Sequence, residues 1–410
     1  MPRPIRGAGH LARAIAAGLC LLALLSACTG TTEPRPPTLL VVGYESVGAP
    51  TLALVEDVGP AGAAQRLRFV AGSERALLGW AVSIDVEDRE GARPYAWALT
   101  RAAPAAGSVD AWLQRFAVAG IDPAAPTAFA EDQARRVTLS GTGGALVSAD
   151  LPGRSPCPRA VQVSRTGRWA VVLDDPAACG FGGYPVQWLV DTLDGSARPL
   201  RATGDVLAAS PVTDQASSDE RAYFLIGAPG DAQVFATDFS DPAAWYKQAR
   251  LGDTPAIFDL AASGSLLVAL SANRLHSLDV ADPAAPTTPG ALDVTATSAA
   301  RLVTDPFGAA TEVLVLGANR VGVHRAPGAG QLAPINVQAA AGAIDPVNRY
   351  AYLLSAGAVT LVDLLSGLDE YDTPLNYATI GVPELTLPVG PGGAPLGAVA
   401  WAWAAPSAAP

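Results

Sequence analysis

The sequence predicts an all-β fold, and within that class a β-propeller of seven blades of four antiparallel strands, with eight as the alternative count. Three observations lead there. Short runs rich in Val, Leu, Tyr and Trp recur along the chain, bounded by Gly, Pro, Asp and Asn, which are strand signals with turn punctuation. Five such runs, 168–173, 221–226, 265–270, 312–316 and 349–354, begin 53, 44, 47 and 37 residues apart. No stretch sustains the helical spacing of apolar residues. A repeat of about 45 residues that holds several strands is the length of one propeller blade.

In chain order, the first element is not part of the fold. Arg3, Arg6 and Arg13 precede an uncharged apolar run over 14–25, the charge-then-apolar order of a secretory signal peptide, here 1–27. From Ala14 to Ala27 the run is only 14 residues long, against about 20 needed to span a bilayer. It ends in Leu25-Ser26-Ala27-Cys28, which resembles the bacterial lipobox. That resemblance implies cleavage before Cys28, lipidation of its thiol, fatty acylation of the palmitate kind, and a mature protein anchored to a membrane through Cys28. Residues 28–38, with Pro34, Pro36 and Pro37, read as a stiff lipidated tether. A single propeller domain is expected over 39–403, followed by a flexible tail at 404–410. The expected location is extracytoplasmic, in the cell envelope.

Within 39–403 the units fall near 39–71, 76–140, 145–201, 205–251, 255–293, 298–337 and 340–388. Each gives a turn, an apolar strand, a short polar break and a second strand leading to Asp followed by Pro or Gly. One more strand, 397–403, follows the last unit. Paired beside 39–71 it would close the ring and remove two sheet edges that invite aggregation. Leu278-Asp279-Val280-Ala281-Asp282-Pro283-Ala284-Ala285-Pro286 resembles the LVIVD-type propeller repeat, with weaker echoes at 119–126 and 237–244. The turn before each strand, as in 161–169, resembles the YVTN-type repeat. Both resemblances imply the propeller fold and say almost nothing about activity.

Composition excludes some partners. The formal charge is −11, and removing 1–27 would take away three arginines and no acid, leaving −14. An acidic body without a basic run repels phosphate backbones, so no nucleic-acid partner is expected. Of the four cysteines, Cys20 lies in the signal and Cys28 is the lipid site. Cys157 and Cys179 remain as a pair in an oxidising compartment and are expected to form a disulfide.

Candidates for chemistry are sparse. The chain beyond 27 carries two histidines, His276 and His324, both on expected strands, with no nucleophile elbow and no ligand-spaced partner. Asp85, Glu87, Asp88 and Glu90 form the densest acidic stretch, but Arg89 and Gly91 break the calcium-loop pattern, and a solvated hairpin turn is the expectation. Gly141-Thr142-Gly143-Gly144 lacks the lysine and helix of a phosphate loop. No catalytic, metal or cofactor residue is therefore assigned, and no cofactor is expected. The reading that follows is a membrane-tethered module that binds a protein, an envelope component or a small ligand on a loop face. The alternative is a propeller enzyme of the quinoprotein or lactonase kind, because one fold hosts many activities.

Overall fold

A computed structural model describes residues 38–403 except 58–66, 88–94, 119–124, 148–152, 201–208, 214–219, 227–232, 239–244, 251–256, 282–286, 295–299, 306–311, 365–384, 387–398 and breaks of one to three residues; for 209–250, 329–331 and 399–403 it describes the backbone. The signal segment, Cys28, the tether and the tail lie outside the described residues.

Six sheets are blades of four antiparallel strands taken in chain order, spanning 80–140, 158–200, 209–250, 257–293, 301–331 and 341–386, here blades I to VI. The five recurrent runs of the sequence are the second strands of blades II to VI: Trp169–Asp174, Glu220–Ile226, Leu266–Ser271, Glu312–Leu316 and Tyr350–Ser355. Where side chains are described, these strands are buried nearly end to end. A blade is covered on both faces by its neighbours, so its central strands read as continuous apolar runs and not as half-buried alternation.

The remaining sheet differs. It has five strands: Val399–Trp403, Thr38–Ser46, Ala49–Asp57 and Leu67–Phe69 in order, with Arg75–Ala76 paired to the third of these. The expectation of seven four-stranded blades, or eight, is thereby corrected to six blades of four strands. The unit at 39–71 is not a blade built from one stretch of chain. Its sheet is completed from the far end, with Leu40 opposite Trp401 and Val42 opposite Val399. A ring of sheets must rejoin its two chain ends in one sheet or leave open edges, and here that closing sheet departs from the four-stranded pattern.

The core lies between sheets, and period-two alternation distributes it. Leu39 and Val41 pack toward blade I with Leu54, Phe116 and Phe129. Their neighbours Leu40 and Val42 pack the other way, against Tyr350, Tyr352 and Leu361 of blade VI. Further cores join blade I to II around Trp97 and Trp188, IV to V, and V to VI. The first strands of the six blades lie against one another in sequence, and Val399–Trp403 meets those of blades VI and I. They are the inner strands of the ring and surround its axis.

The LVIVD-like segments share one place in the fold. Leu278 and Asp279 end the third strand of blade IV, Arg274–Asp279, and Thr237 and Asp238 end that of blade III, Gln233–Asp238. The amide of Ala281 donates to Asp279 Oδ1 at 3.0 Å, so this carboxylate turns the chain out of the sheet.

Candidate functional site at the channel mouth

The inner strands of blades I, II and IV each carry a one-residue irregularity near their starts. In Trp80–Val86, Ala81 and Ser83 oppose consecutive residues of the next strand, so Val82 is extra. In Pro158–Val163 the extra residue is Arg159, and in Ile257–Ser263 it is Phe258. A bulge re-aims the chain locally, and in blades I and IV the residue after it, Ser83 or Asp259, reaches the inner strand of the next blade. The amide of Val161 donates to Ser83 Oγ at 3.2 Å, and the amide of Leu302 donates to Asp259 Oδ2 at 2.7 Å. Further along blade I, the amide of Val163 donates to Asp85 Oδ2 at 2.6 Å. Short polar side chains thus staple the ring where backbones of adjacent blades would otherwise leave donors unmet.

Charge gathers where the inner strands begin. Arg159 pairs with Asp175 at 3.2 Å and keeps about a third of its side chain exposed. It lies within electrostatic reach of Asp259 in blade IV and Arg301 at the start of blade V's inner strand. Burial, and then the neighbouring Arg301, push the Arg159 guanidinium below its ordinary range. Burial pushes the Asp259 carboxyl up, opposed by the Leu302 amide and by Arg301. Arg101, at the end of blade I's second strand, reaches over to blade II, where Nη1 donates to Cys157 Sγ at 2.8 Å and to the Pro158 carbonyl at 3.4 Å.

The Cys157–Cys179 disulfide sits at this mouth. It ties the residue before blade II's inner strand to the short 3-10 turn Pro176–Cys179 after its second strand. Asp174 braces the same corner: it is fully buried, accepts the Cys157 amide and pairs with Arg154 at 2.9 Å. Burial raises its pKa, opposed first by Arg154.

The acidic stretch of blade I does something other than expected. Glu87 is fully buried, accepting Arg115 Nε and the Trp97 indole N–H, each at 2.8 Å. Arg115 also pairs with Asp132 at 2.9 Å and lies 3.3 Å over the Tyr95 ring. Gly167 of blade II, at φ +67°, approaches so closely that a Cβ there would overlap the Glu87 carboxylate. The expectation of a solvated acidic turn is corrected for Asp85, whose carboxylate joins blade I to Val163 of blade II, and for Glu87, which is buried in an ion pair within blade I; Asp88 and Glu90 lie outside the described residues. No group of three metal-ligating side chains occurs among the described residues.

His276 and His324 lie on third strands of blades IV and V and are buried. Burial lowers the pKa of His276, helped by Arg274, and pushes that of His324 down to about 4. Both favour the neutral ring. The mouth residues Arg101, Arg159, Asp259 and Arg301 were not singled out by sequence reasoning. Each is a lone charge in a strand-like run, with no local pattern that marks it.

No protein-family model matches the chain, and no curated protein matches it in sequence. One solved structure shares its fold, and others are similar at lower scores. A protein from Lactobacillus plantarum is 12% identical with a TM-score of 0.53, covering 90% of this chain and 99% of that one. Apo AztD from Citrobacter koseri is 14% identical with a TM-score of 0.46, covering 84% and 82%. PorZ, a surface component of the type-IX secretion system of Porphyromonas gingivalis, is 13% identical with a TM-score of 0.46, covering 85% and 38%. The first of these likenesses shows the fold alone.

Proposed function

We propose that the chain is an extracytoplasmic lipoprotein, matured at Cys28 and held to a membrane there, whose propeller is a binding or scaffold module with its recognition surface at the channel mouth. The observation that carries this reading is the Cys157–Cys179 bridge at that mouth. Disulfides persist in oxidising compartments, which agrees with the lipobox-like Leu25-Ser26-Ala27-Cys28. The bridge also stiffens the loop that presents Arg159, and a preorganised surface binds at lower entropic cost. Acid–base catalysis needs a titrating group near the working pH within reach of the reacting atom. The two histidines, on different blades with lowered pKa values, supply little support for the enzyme alternative.

Fractionation of cells expressing Cys28→Ser tests the anchor. The variant should leave the membrane fraction and lack the acyl mass; unchanged fractionation with an uncleaved N-terminus would refute lipidation. Assay panels of lactones, esters and sugar-dehydrogenase substrates test the rest. Turnover that a substitution at His276 or His324 abolishes without unfolding the protein would establish the enzyme alternative.

A further inference from the structure

The two sulfurs of the Cys157–Cys179 bridge stand in different surroundings. Cys157 is fully buried, and Arg101 of blade I donates from Nη1 to its Sγ at 2.8 Å. The same guanidinium nitrogen donates to the Pro158 carbonyl, which holds it in place. Cys179 ends the turn Pro176–Cys179; it is half-buried, and Ala177, Ala178 and Gly180 around it are exposed. One sulfur thus lies against a fixed positive charge, and the other is the one an outside thiol can reach.

Neutral sulfur is a weak acceptor, and a guanidinium keeps its proton in a protein. The Arg101 contact therefore strengthens when the S–S bond breaks and charge collects on Cys157, as hydrogen bonds between ionised partners do. A thiol beside an arginine ionises more readily, and a more acidic thiol leaves faster in exchange. Two carboxylates stand close by. Asp174 accepts the Cys157 amide but pairs with Arg154 at 2.9 Å, and Asp175 pairs with Arg159 at 3.2 Å. Each has an arginine of its own, whereas Arg101 touches the sulfur itself. The native fold favours the closed bridge, and Arg101 offsets part of that preference by favouring the open, charged state.

We propose that the bridge is a thiol–disulfide exchange site with a fixed direction, in which a dithiol reductant attacks Cys179 and Cys157 leaves as the thiolate. The reductant's first thiolate forms a bond to Cys179 Sγ as the Cys157–Cys179 bond breaks, and the electron pair stays on Cys157 beside Arg101. The second thiolate then attacks the reductant's own first sulfur and releases Cys179. The reductant departs oxidised to a disulfide and the bridge is reduced by two electrons. Of the reductant's two protons, one ends on Cys179 and the other passes to solvent. Opening the bond unties the turn Pro176–Cys179 from the start of blade II's inner strand. The site goes beyond the binding-module reading and does not require it.

Two reagents test it on the purified, folded, full-length protein. After brief exposure to reduced glutathione and an acid quench, peptide mass mapping should place the mixed disulfide on Cys179 and find Cys157 as a free thiol. In buffers of reduced and oxidised dithiothreitol, Arg101→Gln should need at least a tenfold higher ratio of reduced to oxidised reagent for half-reduction of the bridge, about 30 mV. Arg101→Lys should fall between, since it keeps the charge and loses the fork. Arg68→Gln, at an exposed pair with Glu56 on the closing sheet, should match the wild type. Should Arg101→Gln fail to fold, the position of the glutathione adduct and the ratio for Arg101→Lys carry the decision. Glutathione on Cys157, half-reduction of the Arg101 variants at the wild-type ratio, or a folded wild-type bridge that resists both reagents overturns the exchange site.

Discussion

Removing the Glu87 carboxylate is the most informative perturbation of the fold. Glu87→Ala leaves the Arg115 side chain, 5% exposed, with its ion pair to Asp132 and the face of Tyr95 beneath it. It also leaves the fully buried Trp97 indole N–H without its acceptor. Breaking a buried ion pair from one side costs about 3–5 kcal/mol, because the other charge stays behind. An orphaned buried donor costs about 1–3 kcal/mol. The two penalties overlap in one network, and Asp132 compensates part of the first, so the expected loss is about 4 kcal/mol. Urea unfolding followed by tryptophan fluorescence reads it as a lowered midpoint. Glu87→Leu combined with Arg115→Met should recover much of the loss, since an apolar pair carries no stranded charge. A loss under about 1 kcal/mol for Glu87→Ala, within the range of surface substitutions, would refute the argument that this network is sealed from water.

Three further outcomes follow from the same structure. Cys157→Ser with Cys179→Ser should destabilise by about 3 kcal/mol, from the 22-residue separation the bridge closes, and two alkylatable thiols in the native unreduced protein would show that the bridge does not form. His324 binds its proton with a pKa of about 4 when folded, below its ordinary 6.5, so the unfolded chain takes up the proton first as pH falls. Stability should therefore be full above about 6.5 and decline toward pH 4 by an amount on the order of 3 kcal/mol, and His324→Leu should flatten that slope in urea midpoints measured across the window. Ending the chain at residue 398 removes the strand that pairs with Thr38–Ser46 and should lower the thermal midpoint far more than ending it at 403; equal midpoints would refute ring closure at this sheet.

Much of the fold was legible from local sequence. The apolar runs at 265–270 and 349–354 could be recognised as strands because a blade's second strand is covered on both faces, and that demand acts on adjacent residues. The pairing of Cys157 with Cys179 followed from elimination once the first two cysteines were assigned to the expected signal and lipid site, and closure by a strand near 397–403 followed from the cost of open edges. The blade count was misjudged where the two ends of the chain share one sheet. Unit-by-unit reading counts 39–71 with its closing strand as a seventh four-stranded blade, and nothing local in the chain says that this sheet takes five strands, with Arg75–Ala76 added beside Ala49–Asp57.

The site was less legible still. Glu87 belongs to an acidic stretch whose composition looks solvated; its burial depends on Arg115, 28 residues away, and on the space left by Gly167 in the next blade. Arg159, Asp259 and Arg301 come from three blades and lie within electrostatic reach of one another because the ring brings the starts of its inner strands together. Strand periodicity, turn chemistry and cysteine arithmetic are properties of neighbouring residues, and the sequence alone determined what depends on them. Electrostatics at the mouth depends on distances between residues as far apart in the chain as Arg159 and Arg301, and only the tertiary structure decides which charges meet there.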